Sequence, residues 1–146
     1  IIIKENMAFI FTIAQQKGGA GKTTIAINIG IALIQKGKRV AFIDVDPQGS
    51  LSMWYKIREN KFGKGYTGIH FSQSSGWRVS SEITKLKRDY DFIIIDSPPH
   101  IETDARTAIK TADLVLIPVQ PSPADFWATE ATTQIATMEN KDFCII

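Results

Sequence analysis

QQKGGAGKTT, residues 15–24, decides how the rest of the chain is read. It follows an apolar run at 9–14 and opens an isoleucine-rich stretch at 23–36 that ends at Gly37. A strand passing through a glycine-rich turn into a helix sets main-chain N–H groups at the positive end of that helix, where phosphates bind. Gly18, Gly19 and Gly21 let the main chain curl inward without side chains in the way. Lys22 then reaches the terminal phosphates of a nucleotide, and the Thr23 hydroxyl meets Mg²⁺. The stretch breaks the usual order of glycine, four residues, Gly-Lys-Ser/Thr at one place. Gln16 stands where the first glycine belongs, and a second lysine, Lys17, follows it.

A dinucleotide fingerprint competes for the same residues. Gly19-Ala20-Gly21 begins a G-x-G-x-x-G pattern, and Asp44 lies at about the expected distance onward. The third glycine position holds Thr24, however, and a pyrophosphate held by backbone needs no lysines, so a phosphate-binding loop is the better reading. Lys17 precedes the glycines, where the chain leaves its strand. Two readings stand for it: a solvated surface lysine, or one that serves the nucleotide of a neighbouring subunit, as an arginine finger does in trans.

Further apolar runs at 40–43, 92–95 and 114–119 are, like 9–14, uniformly apolar rather than alternating. Runs of that length fit strands buried on both faces of a parallel sheet. A fifth run lies at 143–146 and a weaker one at 69–71. Between them, 23–36 carries Ile25, Ile29, Ala32 and Leu33 on one side and Ile27, Ile31 and Ile34 on others, which predicts a heavily buried helix. Val79, Ile83, Leu86 and Tyr90 mark a second helix, and Ala105, Ala108, Ile109 and Ala112 a third. Ser122-Pro123-Ala124-Asp125 reads as a helix start, with serine as cap and proline at the first position. The fold class is α/β: a doubly wound, mostly parallel sheet with helices on both faces. Residues 58–78 are the least patterned part and read as an irregular excursion.

At 146 residues the chain makes one domain, 1–146. It stops on an apolar run, whereas such a sheet normally carries a helix over its last strand, so the native protein is expected to continue past Ile146. It begins with Ile rather than Met, so leading residues foreign to the native frame are expected. A net charge of +2 neither marks nor excludes a nucleic-acid binder. The single cysteine, Cys144, forms no internal disulfide, excludes a cysteine-rich metal site within one chain, fits a reducing, cytoplasmic setting, and reads as a core residue. Residues 1–13 are broken by Lys4, Glu5 and Asn6 and make neither a membrane span nor a signal peptide. Trp54 and Trp127 read as packing residues. Lys56, Arg58, Lys61 and Lys64 read as a solvated basic loop, with contact to DNA phosphates as the second possibility.

Asp44 and Asp46 follow the second apolar run, and Asp96 ends the third. Ligands of an open parallel sheet sit outside the carboxyl ends of its strands, so all three approach the phosphate loop. Mg²⁺ takes few protein ligands and keeps several waters, which suits one hydroxyl with outer carboxylates. The plainer alternative is that these aspartates cap turns, as Asp-Pro and Ser-Pro-Pro sequences favour.

Four blocks together resemble the ParA/MinD superfamily. Lys17-Gly18-Gly19-x-Gly21-Lys22-Thr23-Thr24 is similar to its deviant Walker A motif, in which a non-glycine before the lysine is normal. Asp44-Val45-Asp46-Pro47-Gln48-Gly49-Ser50 resembles its Asp-x-Asp-Pro-Gln-Gly segment, and Phe92 to Pro99 its Walker B stretch. Gln120 to Trp127 is similar to the proline-rich segment of small ParA-type partition ATPases. The resemblance implies a P-loop ATPase using ATP and Mg²⁺, with nucleotide contacts from Lys17, Gly18, Gly19, Ala20, Gly21, Lys22, Thr23 and Thr24. It implies catalytic roles for Lys17 in trans, Lys22, and Asp46, which positions the attacking water. Thr23, Asp46 and Asp96 form the implied metal site, Asp96 acting through water, and Asp44 supports them. The resemblance further implies a homodimer that forms with ATP, binds DNA non-specifically on the nucleoid in the cytoplasm, and hydrolyses slowly until a ParB-type centromere-binding partner stimulates it. No membrane contact is expected. The alternatives are a MinD-like positioning ATPase and a biosynthetic ligase of the dethiobiotin synthetase kind.

Overall fold

The computed structural model describes residues 7–100 and 103–146; the residues around Lys4, Glu5 and Asn6 lie outside the described residues. β1 (Phe9–Ile13) leads through the glycine loop into α1 (Lys22–Gln35), followed by β2 (Val40–Asp44), α2 (Ser50–Phe62) and β3 (His70–Gln73). A single 3₁₀ turn, Gly76–Arg78, precedes α3 (Val79–Leu86). β4 (Phe92–Asp96), α4 (Thr103–Thr111), β5 (Leu114–Ile117), α5 (Pro123–Met138) and β6 (Asp142–Ile145) complete the order.

The six strands form one sheet, β3-β2-β4-β1-β5-β6, and every neighbouring pair is parallel. Parallel neighbours require crossovers, so each intervening helix runs back from the carboxyl edge of the sheet to its amino edge. α1 and α2 cover one face, where Ile13, Phe42, Leu51 and Ile94 are buried. α3 and α4 cover the other, over Ile43, Ile93 and Ile95, and α5 joins it through Ala136 beside Val115 and Ile117. The uniformly apolar strands follow from having both faces covered.

Register decides where the carboxylates go. Asp44 pairs with Asp96 across β2 and β4, and Ile13 pairs with Asp96 across β1 and β4. The last residue of each of these strands therefore stands in one row at the carboxyl edge. Residues in one row share a face, and this row faces α1 and α2.

Several expectations are corrected. The isoleucines of α1 are only half-buried; Ala26 and Gly30 are its buried small residues, because a surface helix presses only one stripe onto a sheet. Residues 58–78 are not irregular: they hold the end of α2, all of β3 and the 3₁₀ turn. Lys56, Arg58 and Lys61 stand on a helix, whose outward Met53 and Ile57 disguise its periodicity. Cys144 is exposed rather than core, since β6 is an edge strand whose residues are all exposed among the described residues. Trp54 does pack, with its ring 5.9 Å from Phe42, but Trp127 is 68% exposed. No helix among the described residues is long and apolar enough to cross a membrane.

Candidate nucleotide-binding site

The loop between β1 and α1 is fastened at its entry. Gln15, 2% exposed, donates from Nε2 to the Pro118 carbonyl at 3.1 Å and to Thr129 Oγ1 at 3.0 Å. Its Oε1 accepts from the Gln16 N–H at 2.8 Å and from Thr132 Oγ1 at 3.3 Å. The chain thus leaves the strand under the control of β5 and α5, and Gln16 sits half-buried where a glycine is usual.

Lys17 and Lys22 part company at this point. The Lys17 ammonium is ion-paired with the Asp125 carboxylate at the start of α5, where Asp125 is fully buried. Asp125 also receives the Ser122 hydroxyl, while Ser122 Oγ accepts the Asp125 N–H at 3.2 Å and so caps α5. Lys17 and Ser122 together hold the Asp125 carboxyl below its usual range. Lys22, by contrast, is buried in the loop, and its ammonium donates to the Lys17 carbonyl at 3.4 Å. Burial lowers its pKa, opposed by the charges of Asp96 and Asp46.

Gly18, Gly19, Ala20, Gly21, Lys22, Thr23 and Thr24 line a cleft of about 510 Å³, and Asp46 and Gln48 close its side. Gly21, at φ 93°, caps α1 in the left-handed region, which only glycine enters freely. No side chain caps α1, so its first N–H groups face the cleft without a side-chain acceptor. A Cβ at Gly18, Gly19 or Gly21 would meet nothing within 4 Å, so the cradle is open.

Three carboxylates stand at the strand ends in different states. Asp96 is buried; its Oδ2 accepts the Thr23 hydroxyl at 2.5 Å, and its Oδ1 has no partner. Burial first, then the nearby Asp44 and Asp46 charges, push its pKa up to about 7 against the opposing effects of Thr23 and Lys22. Asp44 is also buried and raised by desolvation, but it is fully employed. It accepts from Ser52 N at 2.9 Å, Ser52 Oγ at 2.6 Å and Asp46 N at 3.1 Å, which ties down the first turn of α2. Asp46 is half-buried and lines the cleft, and its Oδ1 accepts from Gln48 N at 2.9 Å.

The fold therefore gathers Gly18 to Thr24, Asp46 and Asp96 at one edge of the sheet, with Asp44 behind them. The side chain of Lys17 is not brought into the cleft but directed to α5. Sequence reasoning missed the roles of Gln15, Asp125, Thr129 and Thr132. Asp125 could have been found as the buried acid one turn into a helix that begins beside the loop; Gln15 left no signal.

Residues 11–137 match the family described as the CobQ/CobB/MinD/ParA nucleotide binding domain. The chain is 34% identical over 137 residues to a "maintenance of carboxysome distribution protein A" of Halothiobacillus neapolitanus, covering 93% of this chain and 62% of that one. It is 31% identical to a "chromosome-partitioning ATPase Soj" of Thermus thermophilus, covering 87% and 60%. The chain thus spans about 60% of the length of these relatives. Its fold matches that of a cobyrinic acid a,c-diamide synthase from Mycobacterium smegmatis, solved with ADP and magnesium, at a TM-score of 0.79 and 22% identity over 95% of this chain and 72% of that one.

Proposed function

This chain belongs to the CobQ/CobB/MinD/ParA family of nucleotide-binding domains, and from that premise we propose that it is an ATP-driven, dimerising switch ATPase that partitions DNA. ATP and Mg²⁺ suit the donor set. The glycine cradle offers main-chain N–H groups to phosphates, and the unpartnered Oδ1 of Asp96 beside Thr23 Oγ1 is a place for a hydrated cation. Mg²⁺, when bound, neutralises the charge of the terminal phosphates. Thr23, Asp96 and Asp46 are the residues that would hold it, Thr23 through its hydroxyl and the two carboxylates through water. Lys22 supplies a cation to the phosphates from within the loop. Asp46, at the rim of the cleft, orients the attacking water.

The observation that carries the switch is the separation of the two lysines. Lys17 has one ammonium and two calls on it: Asp125 in its own chain, or the phosphates bound by a second chain. Pairing with Asp125 occupies Lys17 in the single subunit. An ATP-bound partner offers a competing anion, so nucleotide has a differential affinity for the dimer, which a switch requires. Non-specific DNA and a ParB-type partner that accelerates hydrolysis complete the cycle, in the cytoplasm on the nucleoid. The 31% identity to a chromosome-partitioning ATPase supports this reading. The test is Lys17→Ala: it should abolish ATP-dependent dimerisation in light scattering while nucleotide affinity changes little. Wild-type dimerisation in that variant would remove Lys17 from the interface.

The likeness to a carboxysome-distribution protein favours a second cargo. The same switch would then space a protein body along DNA, and ATPase stimulation by a cargo-side adaptor rather than by a centromere-bound protein distinguishes the two.

A further inference from the structure

We infer that the far end of α2 and the loop after it form a contact surface for the sugar-phosphate backbone of duplex DNA, at the edge of the sheet opposite the nucleotide cleft; the inference rests on the DNA reading of the proposed function. From Met53 to Gly68 the chain carries Lys56, Arg58, Lys61 and Lys64 against a single carboxylate, Glu59, while the whole chain nets only +2. Lys56, Lys61 and Lys64 are exposed, and among the described residues none forms an ion pair. α1 and α2 run side by side over one sheet face and both end at its amino edge, so Lys36 and Lys38, also exposed and without an ion pair among the described residues, extend the charge across the end of α1.

The surface is built rather than loose. Arg58 donates from Nε to the Thr67 carbonyl at 2.9 Å, and its guanidinium stacks on Phe62 at 4.7 Å and Trp54 at 5.8 Å. Tyr66 N donates to the Gly63 carbonyl at 3.1 Å, and Thr67 is buried, so the loop is pinned back on the helix. What that fixing presents outward is Lys64 and the ring of Tyr66, 81% exposed. Compact ammonium charges interleaved with an open aromatic ring suit phosphates and the sugars and bases beside them. An anionic membrane fits less well. Along the chain the exposed Met53, Ile57, Phe62 and Tyr66 are interleaved with Lys56, Arg58, Lys61 and Lys64, unlike the segregated apolar face of an inserting helix.

The test compares the wild-type protein, saturated with ATP and Mg²⁺, with the triple variant Lys56→Ala, Lys61→Ala, Lys64→Ala, using anisotropy of a labelled duplex of arbitrary sequence. A control variant with Lys85→Ala, Lys87→Ala and Arg88→Ala removes equal charge from the other sheet face. Each lysine on a phosphate contributes about 0.9 to the slope of log affinity against log salt, so the triple variant should lose up to about 2.7 of that slope and bind about ten-fold or more weakly. The control should bind as the wild type does, and both variants should keep their unstimulated ATPase rate. Equal loss in both variants would reduce the effect to bulk charge and overturn the inference. So would unchanged binding by the first variant, or loss of its binding only to phosphatidylserine vesicles. A wild-type protein that binds no duplex would overturn the DNA reading itself.

Discussion

Asp46 and Asp96 stand close together yet carry different burdens, and single substitutions separate them. Asp46 reaches the cleft from a turn whose backbone is held by its own Oδ1 and by Asp44. Asp46→Ala should permit nucleotide binding and the ATP dimer but lower hydrolysis by about 10²-fold or more, the order of a lost general base or positioning group; normal turnover would take Asp46 out of the mechanism. Asp96 is a buried acid with a folded pKa of about 7 against an ordinary 3.8. Below the lower value both the folded and unfolded chains hold this proton. As pH rises between the two values the unfolded chain releases it while the folded one retains it, so the nucleotide-free, metal-free fold loses stability across that window. Asp96→Asn should remove the loss: from pH 5 to pH 8 the wild type should weaken more than the variant in urea titrations, and parallel curves would contradict the assignment. Lys22, Thr23 and the glycines were legible as one loop because they are near neighbours in the chain, and they do line one cleft. Gln15 and Asp125 were not, because their partners lie about a hundred residues away and only the sheet order brings them together.

The elements show the same division. The four central strands were legible as unbroken apolar runs, and the start of α5 as a capped, proline-led turn that the structure reproduces at Ser122. α2 escaped because its exposed face carries Met53 and Ile57 while its inner face carries Arg58 and the half-buried Trp54 and Tyr55. Periodicity is visible only when polarity tracks burial. α1 carries a glycine in mid-helix for a reason invisible in its own sequence. A Cβ on Gly30 would lie 2.0 Å from Cζ of the buried Phe42. Gly30→Ala gains about 1 kcal/mol of helix propensity. Overpacking against a ring with nowhere to move costs about 1–3 kcal/mol. The expected balance is a net loss, read as a lower urea midpoint with unchanged m, and relieved when Phe42→Leu is added. An unchanged or higher midpoint in the single variant would show that Phe42 yields freely.

Across the whole molecule, the doubly wound order was legible from the alternation of strands and helices, but which strand lies beside which was not. That order, with β4 between β1 and β2, is what sets Asp96 beside both the phosphate loop and Asp44. It also separates two chemistries. Carboxylates and the glycine cradle gather at the carboxyl edge, and the exposed Lys36, Lys38, Lys61 and Lys64 toward the amino edge. Like α1, α2 begins at the first and ends at the second. It starts from Gly49, at φ 67°, three residues after Asp46, and its first turn is bolted to Asp44 through Ser52. Thirteen residues of helix are about 20 Å long. A tilt of about 10° about Gly49 would therefore sweep Phe62 and the lysines beside it through about 3 Å. Leverage of this kind turns a sub-ångström adjustment at the Asp46 turn into a displacement large enough to make or break a row of contacts at the opposite end.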